Sequence, residues 1–267
     1  MALFDRETRE LIEKLINQVD VDLRTDSSIG IISSENEYTS VLTAEIRNRV
    51  NARLPLKSAA FSQKLKSNEE QAWGVDACVL LIDYDKGVGK LCLFEAKSDR
   101  PNWDYLKPNY QPPISHFSSQ IARQVVPNKQ GFVVWEQFYS SKPNGTPIGD
   151  RNPKGSTCIL HHLAFYHNGT PPNPNVWTDN DIDTLALEKQ RVSKMGSLVR
   201  TVCKCKLGKR FDFSELEELL RERIPVRHIL FLEGARLFQK TIAIILLLND
   251  IRKGSLTIKR VLVGSKC

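Results

Sequence analysis

Val75-Asp-Ala-Cys-Val-Leu-Leu-Ile-Asp83, Tyr84-Asp-Lys-Gly-Val-Gly-Lys90 and Leu91-Cys-Leu-Phe-Glu-Ala-Lys97 form the consecutive stretch that decides the fold. Asp76 to Asp83 is an almost continuous apolar run, and Leu91 to Ala96 is a second. The segment between them carries two glycines and reads as a turn, so the two runs predict a β-hairpin. Neither run alternates polar with apolar. Both faces are therefore expected to be covered, as in a central sheet with helices on each side. Asp76 opens the first strand, and Glu95-Ala96-Lys97 closes the second. Pairing residue 76 with residue 97 leaves Tyr84–Gly89 as the loop. It also puts Asp76, Glu95 and Lys97 on one face, because paired residues share a face, as do strand residues two apart. A slip of one residue would turn Asp76 away.

Working outward, an amphipathic helix is expected over about Asp5–Val19, with Leu11, Ile12, Leu15, Ile16 and Val19 at helical spacing. A second helix starts at Ser34, where Ser34-x-x-Glu37 has the capping-box pattern, and ends before Pro55. Downstream of the hairpin, residues 98–113 hold four prolines and read as an irregular loop. Ile114–Val126 reads as a helix. Gly131–Phe138 and Thr157–Tyr166 read as strands, separated by a Gly/Pro/Asn-rich loop over 140–156. The order predicts an α/β architecture. A Pro/Asn-rich stretch at 170–175 suggests a boundary, followed by helices near Asp179–Met195 and Ser214–Arg223. A strand near Val226–Leu232, a helix over Ala235–Lys253 and a strand over Leu256–Val263 complete the reading.

Two carboxylates a few ångströms apart can hold a hard cation such as Mg²⁺, which takes oxygen ligands. Such a cation stabilises charge on a phosphate and acidifies a bound water. A lysine beside it can orient that water or stabilise developing charge. Glu-x-Lys alone means little, since about one is expected by chance in a chain this long. Here it is the chain's only example, and it ends a buried-type strand, where charged residues are seldom buried without a partner.

Val75-Asp76, the apolar hairpin and Phe94-Glu95-Ala96-Lys97 together resemble the PD-(D/E)XK, or restriction-endonuclease-like, nuclease superfamily. The resemblance covers roughly residues 34–167. It implies an αβββαβ core with a central mixed sheet flanked by helices, here followed by a basic, mostly helical C-terminal extension. It divides the chain into an N-terminal helix (1–33), a nuclease core (34–170) and the extension (171–267). By the same resemblance Asp76 and Glu95 would bind Mg²⁺, with Mn²⁺ able to substitute. The Ala96 carbonyl would be a further ligand, and Lys97 would serve the nucleophilic water. The activity implied is phosphodiester hydrolysis, with DNA the leading substrate; an RNA-cleaving effector with the same centre, or a non-cleaving nucleic-acid-binding or assembly module on the same fold, is the alternative. Members often carry another acid on the first core helix. Glu37 is the first candidate, with Glu35 and Glu45 behind it; Glu37 could equally complete the capping box. On the helix after the motif, His116, Gln120 and Gln124 fall four apart with Arg123 beside them, like the Gln-bearing helix of the RecB and lambda-exonuclease branch. Gln120 would contact the site, and Arg123 and Gln124 the nucleic acid; a solvated helix face is the alternative.

Other signals are weaker. His161, His162 and His167 lack the further ligands a metal site needs. The net charge of +7 is uneven: Ala186 to Cys267 holds 18 Lys/Arg against 8 Asp/Glu, and residues 1–185 hold 20 against 23. The basic excess suggests a polyanion partner or a solvated surface. Arg200, Lys204, Lys206, Lys209 and Arg210 form the densest basic run, read as phosphate contacts or a solvated loop. The extension could also serve a protein partner or a homo-oligomer. No stretch reaches the roughly 18 apolar residues of a membrane span. The charged N-terminus does not read as a secretory signal. With six irregularly spaced cysteines, reduced thiols in a cytoplasm are the expectation.

Overall fold

The computed structural model describes residues 2–98, 103–139, 155–187 and 192–223. The chain forms two compact units, Met1–Leu216 and Glu217–Cys267, and the first contains every strand among the described residues. In chain order the elements are α1 (Arg6–Ser28), α2 (Glu35–Glu45, continued by one wider π-type turn over Ile46–Val50), β1 (Ser58–Lys64), α3 (Ser67–Trp73), β2 (Ala77–Asp83) and β3 (Val88–Ser98). There follow β4 (Leu106–Lys107), β5 (Ile114–Ser115), α4 (His116–Lys129), β6 (Val133–Tyr139), β7 (Ser156–Leu160) and α5 (His161–Asn168). The last are α6 (Asp179–Leu187), β8 (Val192–Ser193), α7 (Met195–Cys203), β9 (Phe211–Asp212) and α8 (Phe213–Arg223).

The sheet runs β1-β2-β3-β6-β7-β8, with β9 also on β3. β1, β2 and β3 form an antiparallel meander, β6 joins β3 in parallel, and β7 and β8 add antiparallel. The parallel step requires a crossover, which α4 provides. Every residue of β2 is buried, because both faces are covered. Phe94, Ala96, Trp135, Ala77 and Val79 point into a core shared with α1, α2 and α7. On the other face Phe138 and Ile159 join Phe117, Ile121 and Ile182 of α4 and α6. The α/β class with a mixed sheet between helices is therefore as the sequence predicts.

Several elements differ from the sequence reading. α1 continues nine residues past Val19 because Leu23 extends the buried stripe, and Asp20 and Arg24 beside it are also buried. Ser58–Lys64 is a strand that the sequence does not announce. The irregular loop contains the β4–β5 pair. β7 stops at Leu160, and His161–Asn168 is a helix, so the three histidines lie on α5 rather than on a strand. The helix expected over 179–195 is α6 alone; β8 and the start of α7 occupy its end. The Pro/Asn stretch at 170–175 is tied down: Asn173 N–H donates to Ser118 Oγ at 2.9 Å, and Ser115 N–H donates to Asn173 O at 2.9 Å. The elements expected from Val226 onward lie outside the described residues.

Candidate active site

The hairpin register pairs Ala77 with Phe94 and Asp83 with Val88. The turn is therefore Tyr84–Gly87, two residues shorter than expected, with Gly87 at φ +63°. The ladder ends at the Ala77–Phe94 pair; Asp76, just before β2, donates its N–H to Phe94 O at 2.8 Å and so lies beside the Phe94–Glu95 step rather than opposite Lys97. Glu95 faces α4, whose Gln120 it binds, and Asp76 is close enough for its charge to act on Glu95. Asp76 Oδ2 accepts from Ala96 N–H at 2.7 Å. A strand residue's N–H and C=O leave on the same edge, so the Ala96 carbonyl faces that edge too.

Glu95 is almost fully buried. Its Oε1 accepts short hydrogen bonds from Lys97 Nζ and from Gln120 Nε2, and Gln120 comes from α4. Glu95 Oε2 has no hydrogen-bond partner among the described residues. Burial pushes the Glu95 carboxyl well above the usual carboxylate range, and the charge of Asp76 adds to this while Lys97 opposes it. Burial would lower Lys97. The charges of Glu95, Glu35 and Asp76 outweigh it and hold its ammonium above the ordinary lysine value.

Glu35, not Glu37, is the acid that α2 brings to this end of β3. Its Oε2 accepts from Ser98 N–H at 2.6 Å. Glu37 is exposed and accepts from Ser33 N–H at 2.9 Å and Ser33 Oγ at 3.0 Å, while Ser34 Oγ accepts from Glu37 N–H at 3.2 Å. Glu37 thus serves the helix start. Glu45 pairs with Arg49 on the helix surface.

Glu136 is a site neighbour that the sequence reading misses. It lies directly across from Glu95 in the parallel β3–β6 register and is fully buried. Glu95 and Glu136 are neighbours on adjacent strands, and the charge of Asp76 acts on both. Burial pushes Glu136 up to about 8, against a hydrogen bond from Gln124. A signal existed: Glu136 is the one charged residue in the apolar run Phe132–Phe138, the same criterion that singles out Glu95. Gln124 is fully buried and is not a nucleic-acid contact. Its Nε2 donates to Gly74 O at 2.8 Å and Glu136 Oε2 at 3.0 Å, and its Oε1 accepts from His161 Nδ1 at 2.9 Å. It fastens α4 to the turn that leads into Asp76. Arg123 is half-buried, and its Nη1 donates to Ser119 Oγ at 2.9 Å.

The basic run 200–210 does not line this site. Arg200 Nη1 binds Glu13 at 2.8 Å and Nη2 binds Glu10 at 3.0 Å, both on α1. Lys209 N–H donates to Gly131 O at 2.7 Å, and its Nζ pairs with Glu215 at 2.8 Å. Lys90 Nζ donates to Gly208 O at 2.8 Å. The run is thus fixed beside Lys90, seven residues along β3 from Lys97, or roughly 23 Å at strand rise. Lys204, Lys206, Lys209 and Arg210 are exposed there.

The donor set suits a hard cation. Asp76 and Glu95 supply carboxylate oxygens, and Glu95 Oε2 is a buried acceptor with no donor, which a cation would satisfy. Among the described residues no cluster of three or more His, Cys, Asp or Glu side chains is arranged to hold a metal ion, so main-chain oxygen and water would supply the remaining ligands. No protein-family model matches this chain, and no curated protein is similar enough in sequence to match it.

Proposed function

We propose that this chain is a metal-dependent nuclease of the PD-(D/E)XK type that hydrolyses phosphodiester bonds in DNA. The observation that carries the reading is one juxtaposition: Asp76 beside Glu95, its Oδ2 on Ala96 N–H and its charge acting on Glu95, with Lys97 Nζ on Glu95 and one Glu95 oxygen unpartnered. With α3 and the short β4–β5 pair as insertions, the order α2-β1-β2-β3-α4-β6, with β6 parallel to β3, supports the αβββαβ core. Mg²⁺ bound by Asp76, Glu95 and the Ala96 carbonyl would neutralise phosphate charge and acidify a water.

The chain's own residues do the rest. Glu95 is fixed by its place in β3, and Asp76 by the Ala96 N–H that its Oδ2 accepts. The neighbouring carboxylates hold the Lys97 ammonium above the ordinary lysine value in a buried setting, where it would stabilise the developing negative charge of the phosphoryl group. Gln120 holds the Glu95 carboxylate in one rotamer by its hydrogen bond. Phe117 lies under the Lys97 ammonium, 5.9 Å from Nζ to ring centroid, and keeps water from that side.

The test is incubation of the purified chain with plasmid, single-stranded DNA and RNA, with Mg²⁺, Mn²⁺ or EDTA. Cutting is expected with metal and not with EDTA. Glu95→Gln should lower it at least about a hundredfold while nucleic-acid binding persists. Cleavage of RNA alone would assign the same centre to an RNA-cleaving effector. No metal-dependent cutting of any substrate would leave a binding or assembly module.

A further inference from the structure

We propose that the β4–β5 hairpin and the first turns of α4 form a binding platform for single-stranded nucleic acid, beside the Glu95–Lys97 centre. The proposal rests on the nuclease reading only for its orientation; the platform itself is argued from its own residues. Tyr105 is 51% exposed and Tyr110 48% exposed, large aromatic surface on a short hairpin. Tyr105 stacks on His116, with ring centroids 4.9 Å apart and planes 8° from parallel. Together they make a flat double-ring step with Tyr105 outermost. Lys107 Nζ lies 5.9 Å from the Tyr110 ring centroid.

Two cations face the same place. Lys107 Nζ and Arg123 Nη1 both donate to Ser119 Oγ, at 3.3 and 2.9 Å. Among the described residues neither makes an ion pair, whereas Arg49, Lys97 and Arg200 each meet a carboxylate. Two like charges sharing one hydroxyl call for an anion. Aromatic faces interleaved with unneutralised cations are what an unpaired strand uses: bases stack on the rings, and phosphates meet the charges. A duplex hides its base faces and would leave the tyrosines unused.

The mounting is rigid. Asp104, buried, accepts from Tyr105 N–H at 2.8 Å, Ser115 Oγ at 2.7 Å, Phe117 N–H at 2.9 Å and Trp177 N–H at 2.8 Å. One carboxylate thus ties the hairpin to α4 and to the chain before α6. The platform also adjoins the centre: Gln120, between Ser119 and Arg123 on α4, binds Glu95, and Arg123 feels the Glu95 charge.

Binding is measured by fluorescence anisotropy with the full chain in EDTA, so that cleavage cannot intervene. The probes are a fluorescein-labelled 20-nucleotide oligo-dT, the matching oligo-rU and a 20-base-pair duplex. The single strands should bind more tightly than the duplex, and the two oligomers tell whether DNA or RNA is preferred. Tyr105→Ala with Tyr110→Ala should weaken single-strand binding at least about tenfold, given the usual effect of losing a stacked base. Tyr→Phe at both positions should keep it. Lys107→Gln with Arg123→Gln should lower the salt slope by about 1.4, two phosphate contacts at the single-strand value. Duplex bound as tightly as the single strands, no measurable binding of either oligomer, or alanine variants that bind like the wild type would each overturn the platform. Tyrosine-dependent single-strand binding by a chain that never cuts would sink the nuclease reading and leave the platform standing. Metal-dependent cutting with tyrosine-independent binding would do the reverse.

Discussion

Lys97→Met and Glu95→Gln remove opposite halves of one buried pair, and the structure predicts that they are far from equal. In Lys97→Met, Glu95 stays buried beside Asp76 and Glu136 with its closest cation gone. Breaking a buried pair this way costs about 3–5 kcal/mol. In Glu95→Gln the amide oxygen can still accept from Lys97, and Lys97 keeps the charges of Asp76 and Glu35. The repulsion between residues 76 and 95 also disappears, so the cost is that of a weakened hydrogen bond, about 1 kcal/mol. The gap of about 2 kcal/mol or more is roughly a thirtyfold difference in the unfolding equilibrium. In urea, at a slope of about 2 kcal/mol/M, it separates the midpoints by about 1 M. Tryptophan fluorescence reports it through Trp135, stacked on Phe94 in the next strand at 5.3 Å. The deficit of Lys97→Met should also depend on pH. A carboxyl whose folded value is raised is stable when protonated and loses stability as pH rises towards that value, so the deficit should be smaller at pH 5 than at pH 8. If Glu95→Gln costs as much as Lys97→Met, or the deficit does not change with pH, the charge arrangement described for the site is wrong.

Acid should weaken the fold through His161, which burial lowers to about 4 from 6.5. Its share of stability is present above pH 6.5 and lost as pH falls through that window, by up to about 3 kcal/mol at pH 4; His161→Gln should flatten the acid limb of a urea-midpoint profile. Gly74→Ala should destabilise by at least about 2 kcal/mol, because Gly74 sits at φ +65° and an added Cβ would lie 2.5 Å from Gln120 O; a thermal scan with an unchanged midpoint would refute the close approach of α4. Neutralising Lys204, Lys206, Lys209 and Arg210 together should leave cleavage within about twofold of wild type, because their loop is fixed to Lys90, which strand rise places roughly 23 Å from Lys97; a large loss of activity would show that substrate reaches the far end of the sheet.

The strands that carry the centre were legible because two uninterrupted apolar runs have few other uses, and the shared face followed from the period of two. The register was not, because Gly89 looks like a turn residue. In the structure it lies inside β3, where a Cβ would meet Leu81 O at 2.7 Å, and only Gly87 takes the positive φ. β1 was hidden because Ser58-Ala-Ala-Phe-Ser-Gln-Lys64 has no β-branched residue; its pairing with β2, not its own propensity, makes it a strand. Leu163-Ala-Phe after β7 has an apolar character that suits strand or helix equally, and tertiary packing on α4 decides for helix. The same ambiguity of pattern against context explains Glu37. Its capping role is written locally, whereas the reach of Glu35 to Ser98 depends on how α2 crosses the end of β3.

Because β2 and β3 are apolar on both faces, hydrophobic burial barely distinguishes the observed register from one displaced by a single residue. What distinguishes them is the handful of charged groups at the strand ends: Lys90 reaching the Leu207 and Gly208 carbonyls on one side, Asp76, Glu95 and Lys97 meeting on the other. The acids and the lysine of the centre therefore double as the alignment marks of the hairpin. A lineage that lost them would lose the uniqueness of its strand pairing, so a derived chain with an apolar centre should show sliding between alternative pairings rather than a quiet, well-ordered relic.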